Sequence, residues 1–157
     1  MIEIVPFQMG YFDAWRGMSL DWLMEYDLLE PEDFHLLDHP YETAVNAGGE
    51  IYIALLDGIP AGTVSLLPVG EGVWEIAKLT VRKEYRRRGV ADRLMEAAIF
   101  GIRQRSGKTA LLFTNSRLEP AIALYSKWGF AEVPHLGSAY CESDRRFEKE
   151  LNTEFSR

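Results

Sequence analysis

Arg86-Arg87-Arg88-Gly89-Val90-Ala91 sets three guanidinium groups, a glycine and a small residue between an apolar strand-like run and a helix-like one. A loop of this kind can hold an anion. Backbone N–H groups at a helix start have no helical acceptor, point outward, and lie at the positive pole of the helix dipole. Gly89 lets a ligand approach the backbone and Ala91 keeps the next step small. The arginines can add charge-assisted hydrogen bonds to a phosphate. A pyrophosphate fits over Gly89, Val90, Ala91 and Asp92. The arginines by themselves read more readily as a solvated basic turn, and it is the strand–loop–helix order that reverses the balance in favour of an anion site.

Glu75 is the second residue with chemical potential. Strict strand alternation places Glu75, Ala77, Leu79 and Val81 on one face, so a carboxyl group stands among apolar neighbours. Such surroundings raise a carboxyl pKa and make it a better proton acceptor. A strand-end charge facing solvent, or paired with Lys78 or an arginine, is the competing reading.

These residues need elements to position them. Ile2 to Val5 reads as an opening strand. Trp15, Met18, Trp22, Leu23, Tyr26 and Leu29 recur at helical spacing between about Phe12 and Glu30, a buried stripe that Pro31 and Pro40 divide into shorter helices. Strands are expected over Ile51 to Leu56, ending at the hairpin signal Asp57-Gly58, over Ala61 to Leu67, and over Trp74 to Val81, which runs into the basic loop. A helix from Asp92 to Arg105, a strand from Thr109 to Thr114 and a helix starting near Pro120 and stopping at Gly129 come next. Phe130 to Val133 and Arg146 to Leu151 complete the set. The pattern predicts one α+β domain over residues 1–157, a mainly antiparallel meander followed by β-α-β-α-β.

Arg86-x-x-Gly89-x-Ala91 resembles the Arg/Gln-x-x-Gly-x-Gly/Ala signature of the GNAT superfamily of N-acetyltransferases. The likeness extends to Glu75 to Val81 as that family's central strand. It also covers Ala121 to Phe130, similar to its A-x-x-L-Y-x-x-x-G-F segment, and the tail from Tyr140 to Leu151 less specifically. The resemblance implies the GNAT acyl-CoA N-acyltransferase fold, a mixed, mostly antiparallel sheet flanked by helices with splayed central strands. It further implies acetyl-CoA as co-substrate, with Arg86 to Asp92 on its pyrophosphate and the free backbone of Leu79, Thr80 and Val81 along its pantetheine arm, like an added strand. An amide of that strand would polarise the thioester carbonyl.

By the same resemblance Glu75 stands where the histone-acetylating branch keeps its general base. Tyr125 stands at the tyrosine that protonates or stabilises the departing CoA thiolate, unless it is a buried aromatic with a satisfied hydroxyl. Asn115 is either a pantetheine contact or a turn asparagine. The acidic, aromatic stretch Asp21 to Asp27 falls where the first helices cover the acceptor, so Trp22 and Tyr26 with Glu75 are candidate contacts for a cationic amine of a small molecule or peptide. A solvated helix face is the plainer reading of that stretch. Direct attack in a ternary complex is the implied mechanism. A non-catalytic acyl-CoA sensor would keep the same loop, and the joint presence of Glu75 and Tyr125 favours the enzyme. Dimers are common in the superfamily, but no interface is legible in the sequence.

Composition narrows the field. At 157 residues, 47% hydrophobic, the chain can fill one core. A net charge of −7 argues against a nucleic-acid binder, although six basic residues crowd between Arg82 and Arg93. No apolar run approaches the roughly 20 residues of a membrane span. Met1 to Pro6 lacks the basic start of a secretory signal, and Cys141 alone cannot form an internal disulfide. These features predict a cytoplasmic protein without a membrane partner. His35, His39 and His135 show no metal-binding spacing, no metal is expected, and Cys141 reads as a small hydrophobe.

Overall fold

Period-two and helical apolar patterns each leave one face to bury, and the computed structural model, which describes residues 1–137 and 142–151, buries them on the two sides of one sheet. Cys141 and Tyr140 lie outside the described residues. The strands are β1 (Ile2–Pro6), β2 (Glu50–Leu56), β3 (Ile59–Gly70), β4 (Val73–Val81), β5 (Thr109–Thr114), β6 (Ala131–Val133) and β7 (Arg145–Glu150). The helices are α1 (Phe12–Glu25), α2 (Asp33–Asp38), α3 (Val90–Gln104) and α4 (Glu119–Lys127). Spatial order is β1-β2-β3-β4-β5-β7-β6, antiparallel throughout except for the parallel pair β4–β5. No helix among the described residues is long and apolar enough to cross a membrane.

Local chemistry explains most of these boundaries. Asp57 and Gly58 both take positive φ, 52° and 84°, as a two-residue hairpin between β2 and β3 requires. Leu94, Met95, Ala98 and Ile102 of α3 are fully buried against Ala54, Val64 and Leu66 on one sheet face. Trp15 is fully buried with Leu37, Ile51 and Ile53 on the opposite face, where its ring meets Phe7 edge-on at 5.3 Å.

Two expectations are corrected. The helix that begins at Phe12 ends at Glu25, not near Glu30. Asp27 turns the chain with a φ of 56°, so Leu28 enters the core and Leu29 is exposed. More consequentially, β4 does not alternate strictly. Between Thr63↔Thr80 and Ser65↔Ala77, a step of two residues on β3 matches a step of three on β4, and the extra residue, Lys78, has a φ of 57°. Leu79 and Val81 therefore pack with Trp74 and Ile76 on the α3 side and do not share a face with Glu75.

β4 and β5 also part company. They pair only at Val73↔Thr109, Trp74↔Ala110 and Glu75↔Leu111. Beyond Glu75, β4 continues along β3 as far as Val81 and β5 along β7 as far as Thr114, so the edges that face each other have no strand partner.

Leu94 tests the α3 contact. Leu94→Ala should lower the unfolding free energy by about 3 kcal/mol, because it removes buried methyl groups and leaves a void. Urea denaturation followed by circular dichroism reads the loss.

Candidate active site

A cavity of about 110 Å³ opens where β4 and β5 diverge. Glu75, Ala77, Lys78 and Leu79 line it from β4, and Phe113, Thr114 and Asn115 from the end of β5. Tyr125 of α4, Trp22 of α1 and Asp33 of α2 complete the wall, with Leu28, Leu118 and Glu142 nearby. Helices on opposite flanks of the divergence thus contribute to one space.

Glu75 and Tyr125, far apart in sequence, both face this cavity. Burial pushes the Glu75 carboxyl up from its ordinary value, and the Lys78 charge opposes that rise. Tyr125 is 8% exposed and packs near Phe130 and Phe147. Its hydroxyl has no hydrogen-bond partner among the described residues, and burial raises it to about 12. The phenol thus keeps its proton at neutral pH and can donate a hydrogen bond into the cavity.

Lys78 was only a possible ion-pair partner in the sequence, and Asp33 carried no signal there. The Lys78 ammonium forms an ion pair with Asp33 Oδ1, with the two side chains 10% and 2% exposed. The other Asp33 oxygen accepts the Glu30 N–H at 2.7 Å. Losing one member of a buried pair strands the other, a change that typically costs about 3–5 kcal/mol. A lysine inside an apolar strand was the visible hint. Its partner lies 45 residues away, beyond the reach of local pattern reading.

The basic loop leads into α3 through a left-handed glycine, and its side chains go to different places. Gly89 caps α3 with a φ of 84°, and a Cβ placed there would meet nothing within 4 Å. The backbone needs glycine for its conformation, and the space beside it is open. Arg87 and Arg88 are exposed. Arg86 instead turns toward α1. Its guanidinium reaches Glu25 at 2.8 and 2.9 Å, its Nε donates to Val81 O at 3.1 Å, and its charge lies 5.9 Å from the Tyr26 ring centre. That side chain clamps the loop to α1.

Asp92 is likewise occupied. Its carboxylate accepts from Lys127 Nζ at 3.0 Å and from Trp128 Nε1 at 2.8 Å, tying the start of α3 to the end of the helix that carries Tyr125. Asn115 donates to Glu142 O and accepts the Arg117 N–H at 2.9 Å, so its amide knits two loops together even though it borders the cavity. Trp22 lines the cavity. Tyr26 does not, and supports Trp22 from behind with ring centres 5.0 Å apart. Thr80 is buried, with its hydroxyl donating to Lys78 O at 3.2 Å.

The profile of the Acetyltransferase (GNAT) family matches residues 14–130. A curated relative, mycothiol acetyltransferase of Mycolicibacterium vanbaalenii, is 31% identical over 84 residues, which are 54% of this chain and only 27% of that protein. Among solved structures, a GNAT-family acetyltransferase from Staphylococcus aureus superimposes with a TM-score of 0.88 at 19% identity, covering 97% of this chain and 100% of the other. PaiA N-acetyltransferase of Thermoplasma acidophilum, solved in complex with coenzyme A, gives a TM-score of 0.77 at 18% identity over 96% and 99% of the two chains. The seven-stranded sheet and its flanking helices are those of GNAT structures, and the chain belongs to the acetyltransferase (GNAT) family.

Proposed function

We propose that residues 1–157 act as one N-acetyltransferase domain, passing the acetyl group of acetyl-CoA to the amine of a small molecule or peptide by direct attack in a ternary complex. The observation that carries this reading is the meeting of Glu75 and Tyr125 in the cavity between the diverging strands. Family membership supports the donor. The residues present also suit it, since the glycine-capped start of α3 leaves open space beside its unpaired amides. Gly89, Val90, Ala91 and Asp92 would hold the pyrophosphate through backbone N–H groups, with exposed Arg87 and Arg88 adding charge. Arg86 would contribute only through its backbone. The free edge of Leu79, Thr80 and Val81 would take the pantetheine arm.

The co-substrate supplies an acyl group already activated as a thioester, so the protein has mainly to align a neutral amine. Glu75 accepts the proton that the amine loses. A thiol titrates near ~8.5 and the Tyr125 phenol about 12, so complete proton transfer from Tyr125 to sulfur is uphill. Tyr125 works as a hydrogen-bond donor that stabilises the leaving thiolate. Trp22 and Leu28 suit the apolar body of an acceptor, and the acids around the cavity suit its positive charge.

Calorimetry with acetyl-CoA, then thiol release across a panel of amines, tests the reading. Absence of acetyl-CoA binding would overturn it, and binding without turnover on any amine would favour a sensor. Tyr125→Phe should bind acetyl-CoA normally and lose about 10- to 100-fold in kcat, the scale of one hydrogen bond to a charged group. Glu75 must be ionised to act, and burial favours its protonated form. The wild-type rate should therefore climb with pH through a midpoint above the usual carboxylate range. Glu75→Gln should lose about 100-fold in kcat together with that limb of the profile.

A further inference from the structure

We propose that the buried Lys78–Asp33 pair is a positioning pair that sets how readily Glu75 takes up a proton, Lys78 favouring the carboxylate and Asp33 restraining Lys78. Its functional meaning rests on the reading of Glu75 as proton acceptor, although its physical content does not.

β4 carries one extra residue relative to β3. In an unbroken strand, positions three apart lie on opposite faces, which would turn Lys78 away from Glu75. The positive-φ insertion at Lys78 changes this. Leu79 and Val81 are carried to the α3 side, and Lys78 joins Glu75 at the cavity wall. The ammonium is then held by Asp33, reaching in from α2. A paired cation and anion from separate elements thus line the same cavity as Glu75, and the cation acts on its carboxyl group.

Other charged or titratable groups around the cavity have weaker claims on Glu75. From the segment before β7, Glu142 is half exposed, 3.6 Å from Arg117. From the lead-in to α2, Glu30 accepts the Glu142 N–H at 2.9 Å. From α4, Tyr125 stays neutral at ordinary pH. The cavity residues of β5 carry no charge, and neither does Trp22 of α1. Lys78 and Asp33 are both buried, and Lys78 is the group that opposes the effect of burial on Glu75.

The two members should act with opposite sign. Without the lysine charge, Glu75 loses the group that opposes its burial, Asp33 is left uncompensated on the same cavity wall, and protonation becomes easier. Without the aspartate charge, the full field of Lys78 favours the carboxylate and protonation becomes harder. The test is titration of the Glu75 side-chain carboxyl carbon by NMR on uniformly ¹³C-labelled free protein, with the signal assigned by its disappearance in Glu75→Gln. Lys78→Gln should move the midpoint to higher pH and Asp33→Asn to lower pH, each by about 1 pH unit, the scale on which one neighbouring charge acts. Lys78→Arg, which keeps the charge, should stay near wild type.

Midpoints that do not move, or that move the same way in both variants, would overturn the proposal. If Lys78→Gln fails to fold by near-UV circular dichroism, Asp33→Asn and Lys78→Arg still decide the sign. No acetyl-CoA or amine is present in this titration, so its failure is distinct from failure of the proposed reaction.

Discussion

Parallel pairing between β4 and β5 stops after three residue pairs, and the rest of the site follows from that interruption. A continuous ladder would satisfy every backbone group along both edges and leave no gap in the sheet. Each strand is instead held on its outer side, β4 by β3 and β5 by β7, so the inner edges can separate without the sheet coming apart. The resulting wedge creates the cavity, exposes backbone that can pair with an extended ligand, and admits side chains from α1, α2 and α4 to one place.

A wedge needs bracing, and three polar contacts supply it. Arg86–Glu25 joins the loop after β4 to α1, Lys78–Asp33 joins β4 itself to α2, and Asp92–Lys127 joins α3 to α4. Their energetics differ. Asp92–Lys127 is largely exposed, so its charge attraction contributes little beyond the Trp128 hydrogen bond to the same carboxylate. The Arg86–Glu25 fork is partly shielded and bidentate, a geometry that adds direction to attraction. Lys78–Asp33 is buried, and each of its members depends on the other.

Much of this was legible in the sequence, for identifiable reasons. Gly89 and Ala91 between a strand and a helix mark the loop because helix starts and left-handed glycines have local signatures. The Asp57-Gly58 turn, the Pro120 helix start and the Gly129 stop were readable on the same grounds. Tyr125 was legible through its motif. The polar contacts around the cavity were not, because Lys78 meets Asp33, and Asn115 meets Glu142, across long stretches of chain. The destination of the Arg86 side chain was equally hidden, since local sequence does not reveal that Glu25 lies within reach.

The inserted residue in β4 has a bearing on how such a site can change over generations. Glu75 and Ala77 precede it, and Leu79 and Val81 follow it on the opposite face. Deleting Lys78 would restore regular alternation while leaving Ile76, Leu79 and Val81 pointing into the core they already fill. A change in chain length by one residue could therefore add or remove a cation at the site while the apolar pattern of the strand stays intact. In this strand the cation is separable from the apolar pattern, its buried partner Asp33 being what such a change would leave behind, and the genetic event that separates them is an insertion or deletion rather than a substitution.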